Sequence, residues 1–292
     1  MRAQKLPGRT RLRTPSTGLG SRPGPVTLRP VEAILNVLPS VVAAVLGATV
    51  LLWLASLRLR DASVADPFWG AGFALAAWVA ALSGDGDGPR RAIALALVTL
   101  WGARLSLHLL RRNLGHGEDR RYAAMRAAHG ERFWIVSLGT VFLLQGVLLL
   151  VVSLPVLAAV ASPATPLGAL DAAGIALFAA GFAFEAIADR QLARFKADPA
   201  SRGRVMDRGL WRLTRHPNYF GDATLWWGLG LLGAAAGEPW TLASAALMTF
   251  LLVRVSGVAL LEKDIAERRP EYRAYVARTS AFVPWFPRGA ER

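Results

Sequence analysis

The sequence predicts an all-α, polytopic membrane protein with about seven transmembrane helices. Two observations lead to this prediction. Hydrophobic residues make up 53% of the chain and are gathered into runs close to the length that crosses a bilayer core. Lys and Arg are concentrated between these runs and give a formal net charge of +14. Because basic residues collect in the cytoplasmic loops of membrane proteins, this charge does not indicate nucleic-acid binding.

The apolar runs follow a basic N-terminal segment. Residues 1–30 are rich in Arg, Pro, Gly and Ser and contain no acidic residue. We expect a disordered tail there, or a start codon assigned too far upstream. Residues 31–292 then form one membrane domain. Its predicted helices are Val31–Leu57, Asp66–Leu82, Ala92–Leu110, Phe133–Val160, Leu167–Ala188, Tyr219–Ala235 and Pro239–Leu261.

The distribution of Lys and Arg predicts the orientation. The loops after the third and fifth helices and the C-terminal tail are strongly basic, whereas the loops near Asp85, Ser162 and Glu238 are not. With seven spans, the three basic regions lie together in the cytoplasm, with the N-terminus outside and the C-terminus inside. The basic N-terminal tail conflicts with this orientation, and the conflict disappears if its first residues are not translated.

Cysteine and histidine usage excludes several kinds of site. The chain has no Cys, which excludes disulfides, thiolate catalysis and zinc–thiolate sites. Its four His residues are scattered without the spacing of metal ligands, so no metal site is predicted.

Polar residues within the second and third helices are candidates for catalysis, because such side chains are expensive at membrane depth. Trp101 and Arg104 lie near the end of the third helix, and Arg104 shares a face with His108. Arg104 could instead extend its guanidinium to the interface. Asp66 begins the second helix, where it could simply be the N-cap. Tyr122 ends a polar stretch after the third helix, which could also be a solvated interfacial helix.

Glu185 and Asp189 lie four residues apart where the fifth helix ends, and Arg194 and Lys196 follow them. These four residues could form a platform for a nucleotide, because carboxylates accept hydrogen bonds from ribose hydroxyls and basic side chains bind phosphate. The alternative is a set of local ion pairs that stabilise the helix.

The strongest motif is the segment 209–222, GLWRLTRHPNYFGD. Proline favours the first helical position, so we expect the sixth helix to begin near Pro217. A helix N-terminus attracts anions. The polar residues around this N-terminus are Arg215, His216, Asn218, Tyr219 and Asp222. An interfacial turn with an aromatic anchor is the simpler alternative, although it would not require all five residues.

Arg254 lies inside the seventh apolar run, and Glu262 follows two turns later. An arginine inside a span must contact a partner or a polar cavity. We therefore include both residues among the candidates for cofactor binding.

Four segments resemble one known family. The segments are DPFWG (66–70), LWGARLSLHLLRRNLGHGEDRRY (100–122), WRLTRHPNYFGDATLWWG (211–228) and RTSAFVPWFP (278–287). They resemble a bacterial membrane family of unknown function that is related to the C-terminal domain of the steroid 5-alpha-reductases. The likeness extends over nearly the whole chain from about residue 31.

The resemblance implies a seven-helix enzyme of the bacterial inner membrane that binds NADPH from the cytoplasm and reduces a double bond. Its substrate would be apolar and dissolved in the membrane, such as a sterol-like, polyprenyl or fatty acyl compound. A tyrosine that holds the ketone in the steroid reductases is Trp101 here. From this resemblance taken together with the polar residues above, we expect the catalytic residues to be Asp66, Trp101, Arg104 and Tyr122. The implied cofactor contacts are Glu185, Asp189, Arg194, Lys196, Arg215, His216, Asn218, Tyr219, Asp222, Arg254 and Glu262.

Two alternatives stay open. The RHPNY segment also resembles the isoprenylcysteine carboxyl methyltransferases, which bind S-adenosylmethionine, although Asp222 stands where their pattern often has Glu. The other alternative is a non-catalytic membrane protein that binds lipid. In every case the expected partners are membrane lipids and an apolar small molecule, and not nucleic acid.

Overall fold

The computed structural model describes residues 30–255 and 271–287, and this part of the chain is almost entirely helical. The helices are α1 (Pro30–Leu59), α2 (Ala65–Ser83), α3 (Gly88–Asn113), α4 (Arg120–His129), α5 (Phe133–Ser137), α6 (Leu144–Val152), α7 (Leu154–Ala161), α8 (Ala169–Ala197), α9 (Pro217–Ala235), α10 (Leu242–Phe250) and α11 (Glu271–Arg278). No β-strand occurs in these two ranges, although Thr214 and Ser280 form an isolated parallel bridge. The predicted all-α class is confirmed.

Five stretches of the described chain are long and apolar enough to cross a membrane. They are Val31–Leu59, Ala62–Ser83, Gly88–Asn113, Arg120–Val152 and Ala169–Ala197. A shorter apolar stretch covers Pro239–Val255. The chain is therefore an integral membrane protein, while the number of seven spans and the sides of the termini stay predictions. The predicted disordered tail, up to residue 29, and the end of the predicted seventh helix lie outside the described residues.

The predicted fourth helix, Phe133–Val160, is not one continuous helix. A π-helical segment, Leu138–Leu143, separates α5 from α6, and Ser153 separates α6 from α7. Proline cannot donate a backbone hydrogen bond, so Pro155 leaves the Val151 carbonyl without its helical partner. The hydroxyl of Ser244 on α10 donates to that carbonyl at 2.7 Å. A neighbouring helix thus satisfies the break, as the membrane interior requires.

The fifth and sixth predicted helices correspond to α8 and α9. The boundary predicted for α8 is wrong, because the helix continues to Ala197 after its apolar run ends at Ala188. Residues 189–197 consist mostly of good helix formers, so the backbone stays helical beyond the hydrophobic part. The start of α9 at Pro217 confirms the prediction from the proline.

Glycines bring α8 and α9 into backbone contact. A Cβ placed on Gly221 would lie 2.5 Å from the backbone nitrogen of Glu185, and one on Gly228 would lie 2.6 Å from the carbonyl oxygen of Gly174. Gly181 makes a similar approach to α9. Small residues at such spacing let membrane helices approach closely. The first turn of α9 is therefore fixed beside the part of α8 that carries Glu185.

A second close approach joins α2 to α3. A Cβ on Gly70 would lie 2.5 Å from the carbonyl oxygen of Gly102. Three buried aromatic rings pack beside this crossing: the centroids of Phe73 and Trp226 lie 4.6 Å apart, and those of Trp101 and Trp226 lie 5.3 Å apart. This aromatic contact connects α2, α3 and α9 in the core of the bundle.

The C-terminal segment binds the loop that leads into α9. The backbone N–H of Arg215 donates to the carbonyl of Ser280, and that of Trp285 donates to the carbonyl of Leu213, both at 2.9 Å. These bonds fix the entry of α9 at the end of the bundle where α3 and α8 finish. We call this the basic end, because residues 111–132 and 190–215 carry most of its arginines.

Candidate functional site

Arg104 of α3 joins two carboxylates of α8. Its Nη1 donates to Oδ2 of Asp189 at 2.8 Å, and its Nη2 donates to Oε1 of Glu185. The indole N–H of Trp101 donates to the other oxygen of Glu185 at 3.0 Å. Residues three or four apart share a helix face, so each helix directs its pair of side chains toward the other. Both carboxylates are buried.

The first turns of α9 complete this group with Asn218, Tyr219 and Asp222. The amide nitrogen of Asn218 donates to Oδ1 of Asp189 at 3.2 Å. Asp222 is buried, and its Oδ1 has no hydrogen-bond partner among the residues that the structure describes. Buried polar atoms are almost always paired, so an acceptor left in this position suits an O–H or N–H of a ligand. We call Glu185, Asp189, Asn218 and Asp222 the acidic wall.

Asp66 forms a second polar group at the start of α2. Its Oδ1 accepts a hydrogen bond from the hydroxyl of Tyr122 at 2.6 Å. Its Oδ2 accepts from Arg121 at 2.9 Å and from Arg112 at 3.4 Å. The alternative that Asp66 caps α2 is wrong, because Val64 occupies the N-cap position without a side-chain hydrogen bond. We call Asp66, Arg112, Arg121 and Tyr122 the arginine cluster.

The loop before α4 fixes the arginine cluster in place. Glu118 accepts hydrogen bonds from the backbone N–H of Ala62 at 2.9 Å and from the guanidinium of Arg126 at 2.7 Å. The hydrogen bond from Arg126 lowers the pKa of Glu118 below its ordinary value, although burial opposes this effect. Asp119 caps α4 by accepting from the backbone N–H of Arg121 at 2.9 Å. The first turn of α4 is thereby held against the start of α2.

The acidic wall and the arginine cluster line one cavity of about 700 Å³. His108, Thr140, Gln145 and Tyr219 add further polar groups to its lining. The other described residues of the lining are apolar: Trp69, Leu105, Leu109, Met125, Val141, Leu144, Leu148, Met248, Leu251, Leu252 and Val255. Pockets that bind small molecules commonly combine apolar walls with a few placed polar groups. The cavity can therefore hold a largely apolar ligand by its polar end.

Two of the predicted catalytic residues do not line the cavity. Trp101 is fully buried, and Arg104 lies behind the carboxylates that it binds, with 18% of its side chain exposed. Both side chains contact the acidic wall. The other two, Asp66 and Tyr122, line the cavity directly.

Arg215 and His216 also lie outside the cavity lining. The guanidinium of Arg215 donates to the carbonyl of Thr279 at 2.7 Å, in the C-terminal segment. The ring of His216 stacks on Tyr219 with centroids 5.6 Å apart. These contacts fix the loop before α9, and a role of either residue in binding a cofactor stays a prediction.

The remaining candidates are exposed and outside the cavity lining, or lie outside the described residues. Arg194 and Lys196 are exposed at the end of α8. Lys196 lies eleven residues after Glu185, which places it on the same face of the helix. Arg254 is exposed in a π-helical segment, Leu251–Val255, and is not among the lining residues. Glu262 lies outside the described residues.

Arg112, Arg121 and Gln145 also line the cavity, and none of them was among the predicted site residues. His108, which shares a helix face with Arg104, lines it as well. Arg112 and Arg121 belong to the polar stretch that ends at Tyr122, so their residue types were visible in the sequence but the direction of their side chains was not. Gln145 lies inside an apolar run and donates to the carbonyl of Ala65 at 3.3 Å. A polar side chain at membrane depth is a signal that could have identified it.

Comparison with known proteins identifies the family. Residues 52–279 match the family described as protein of unknown function (DUF1295). An uncharacterized protein of Schizosaccharomyces pombe is 30% identical over 264 residues, which cover 80% of this chain and 75% of that protein. No solved structure matches the chain. The chain therefore belongs to the DUF1295 family, and the relationship to steroid 5-alpha-reductases stays a prediction.

Proposed function

We propose that this DUF1295 protein is an NADPH-dependent oxidoreductase that reduces a polarised double bond in an apolar, lipid-like substrate. One observation carries the proposal: the acidic wall, the arginine cluster and an aliphatic lining share a single cavity. A membrane reductase requires these three parts, namely a contact for the nucleotide, a group that polarises the substrate and an apolar volume for its body.

The acidic wall and the end of α8 fit a dinucleotide. The oxygens of Glu185, Asp189 and Asn218 can accept hydrogen bonds from ribose hydroxyls, and the unpartnered Oδ1 of Asp222 offers a further acceptor. Lys196 lies on the same face of α8, about 16 Å beyond Glu185 at 1.5 Å per residue, where it can bind phosphate. The cofactor supplies a hydride when it is bound.

The arginine cluster would act on the substrate. Negative charge develops on a conjugated carbonyl oxygen when hydride reaches the double bond, and Arg112, Arg121 and Tyr122 can stabilise that charge. The hydroxyl of Tyr122 also carries a proton that can complete the reduction. We assign Trp101 and Arg104 a positioning role, because they hold Glu185 and Asp189 in place.

The basic end would face the cytoplasm, where NADPH is available. Positive charge collects on the cytoplasmic side of membrane proteins, and the loops at this end carry most of the arginines. The proposed location is the bacterial inner membrane, with seven spans, the N-terminus outside and the C-terminus in the cytoplasm.

Thermal unfolding of the detergent-purified protein tests the proposal. A ligand that binds only the folded state raises the unfolding temperature. We expect NADPH to raise it, and Asn218→Ala to remove this rise. Asn36→Ala is the matched control, because Asn36 is exposed on α1. The proposal fails if NADPH has no effect on the wild-type protein, which would favour the non-catalytic lipid-binding alternative.

A second candidate, methyl transfer from S-adenosylmethionine, is favoured by the charge of the acidic wall. Glu185, Asp189 and Asp222 provide three carboxylates, and Arg104 is the cation that binds two of them. The carboxylates of the acidic wall outnumber the arginine that binds them, and this negative charge would attract the cationic sulfonium of S-adenosylmethionine. NADPH carries anionic phosphates instead. A rise in unfolding temperature with S-adenosylmethionine and not with NADPH would replace the first candidate by the second.

A further inference from the structure

Two guanidinium groups of the arginine cluster converge on one carboxylate oxygen. Arg112 and Arg121 both donate to Oδ2 of Asp66. Asp119 also binds Arg121, at 3.0 Å, but it does not line the cavity. Among the described residues, the ionic groups that line the cavity at this point are two cations, Arg112 and Arg121, and one anion, Asp66. With Asp119, which neutralises Arg121 from outside the lining, this group holds two cations and two anions, so what it offers a ligand is the unused N–H groups of the two arginines.

Both guanidinium groups have donors that are not in use. A guanidinium carries five N–H groups. Arg112 donates through Nε and Nη2, and Arg121 donates through the same two nitrogens. Among the described residues, neither Nη1 has a hydrogen-bond acceptor. The side chains are 46% and 43% exposed, so an incoming ligand can reach these donors. The planar arrangement of the N–H groups suits a carboxylate or a phosphate.

An aliphatic surface continues from the arginines into the bundle. Leu109 and Leu105 follow Arg112 back along α3, and both line the cavity. Leu144 and Leu148 line it from α6. Seven residues separate Arg112 from Leu105, which corresponds to about 10 Å along the helix. A ligand with its polar end at the arginines would therefore extend its apolar body toward the middle of the membrane.

We propose that the natural ligand of this cavity is an anionic amphiphile, with one carboxylate or phosphate head group bound by Arg112 and Arg121 and an aliphatic body along Leu105, Leu109 and Leu148. This narrows the substrate class of the proposed reductase, on which it rests for the reaction alone. A carboxylate head group conjugated to the double bond would itself carry the oxygen that Arg112 and Arg121 stabilise in that reaction, whereas a phosphate head group would leave this role to Tyr122. An uncharged sterol ketone presents a single carbonyl oxygen and cannot pair bidentately with a guanidinium, as a carboxylate or a phosphate can.

A series of ligands with one chain and different head groups tests the proposal. The probes are oleate, oleyl phosphate, oleyl alcohol and oleylamine, each titrated into the full-length protein in uncharged detergent with binding measured by microscale thermophoresis. We expect oleate or oleyl phosphate to bind about tenfold more tightly than oleyl alcohol, since a charge-assisted hydrogen bond contributes enough for that ratio. The comparison of oleate with oleyl phosphate distinguishes a fatty acid from a phosphorylated lipid.

Substituting Arg112 and Arg121 tests whether the preference for anionic head groups arises at this site. Arg112→Gln combined with Arg121→Gln should make oleate bind no better than oleyl alcohol. Arg111→Gln combined with Arg120→Gln is the matched control, because these neighbouring arginines are exposed and do not line the cavity. The control should keep the tenfold preference. The proposal is overturned if oleyl alcohol or oleylamine binds as tightly as the anions, or if both double variants lose the preference equally.

The same variants separate this inference from the proposed cofactor. NADPH should still raise the unfolding temperature of the Arg112→Gln, Arg121→Gln variant, because the acidic wall is unchanged. If NADPH does not raise the unfolding temperature of the wild-type protein but oleate binds more tightly than oleyl alcohol, the reductase proposal fails and the proposal of an anionic ligand is retained. If NADPH binds and the head groups make no difference, the inference fails and the reductase stands.

Discussion

Arg90 and Arg104 both lie on α3, and each binds a carboxylate of α8 that lies 81 residues farther along the chain. Arg90 donates to both oxygens of Asp171, at 2.7 and 2.8 Å. Arg104 divides its two terminal nitrogens between Glu185 and Asp189. Fourteen residues separate the two contacts on each helix, which corresponds to about 21 Å. The same pair of helices is thus joined near both ends.

The two contacts differ in how completely their atoms are paired. Asp171 also accepts the backbone N–H of Gly168 at 2.8 Å, and Arg90 also contacts Thr165 and the carbonyl of Pro166. At the basic end, Nε of Arg104 and Oδ1 of Asp222 are buried without a partner among the described residues. A fully paired site stabilises the fold, whereas unpaired groups beside a cavity are available to a ligand.

The largest loss of stability should come from breaking the fully paired contact between Arg90 and Asp171. Arg90→Met leaves Asp171 buried without its cation, which should reduce the free energy of unfolding by about 3–5 kcal/mol. Thermal unfolding in detergent measures this loss. Adding Asp171→Leu removes the stranded charge, so the double variant should recover part of the stability. If the double variant is as unstable as Arg90→Met, the unpaired charge of Asp171 does not explain the loss of stability.

Breaking the contact of Arg104 with Glu185 and Asp189 should affect ligand binding more than stability. Arg104→Met frees Glu185 and Asp189 next to a cavity that water can enter, so the loss should be about 1–3 kcal/mol, smaller than for Arg90→Met. The rise in unfolding temperature with NADPH should disappear in Arg104→Met and persist in Arg90→Met, provided both are measured where they are folded. The distinction between the two contacts is refuted if the rise in unfolding temperature with NADPH disappears in Arg90→Met and not in Arg104→Met.

The glycine contacts between α8 and α9 should come next. A Cβ on Gly221 would meet the backbone of Glu185 at 2.5 Å, so Gly221→Ala must separate the helices that form the acidic wall. We expect a loss of about 1–3 kcal/mol together with weaker NADPH binding. Gly47→Ala is the matched control, because nothing lies within 4 Å of its added Cβ. That variant should be unchanged or slightly more stable, since alanine favours a helix. Equal losses in both would refute the close-packing argument.

The sequence was sufficient for the class of fold and for most helices, because apolar runs of membrane length have few alternatives. Spacing along one helix also identified Glu185 with Asp189 and placed Arg104 on the same face as its neighbours. It could not show that α3 and α8 direct these residues at each other, since that depends on packing between distant segments. Pro155 is visible in the sequence as a residue that interrupts a helix. The sequence does not show that Ser244 donates the hydrogen bond that satisfies the freed carbonyl.

The functional assignments were harder to predict for the same reason. Arg215 and His216 belong to the strongest motif, yet within the described residues Arg215 binds the C-terminal segment and His216 stacks on Tyr219. Arg112 and Arg121 belong to a stretch that could equally have been a solvated helix, and they line the cavity. Residue type indicates that a segment is unusual, whereas the direction of each side chain depends on which helix packs against it.

The smallest effect should come from a third arginine–carboxylate pair, whose carboxylate, Glu118, lies between two of the membrane-spanning stretches. Glu118 binds Arg126 at 2.7 Å, and this hydrogen bond lowers the pKa of Glu118. Its folded pKa is therefore below the unfolded value of about 4.3, so the pair contributes its full stability above that pH and loses it as the pH falls through the folded pKa. At pH 7, Glu118→Gln should cost about 1 kcal/mol or less, because the pair is near the surface. The difference in unfolding temperature between wild type and Glu118→Gln should narrow below about pH 4, and a difference independent of pH would mean that packing, and not charge, holds α4 against α2.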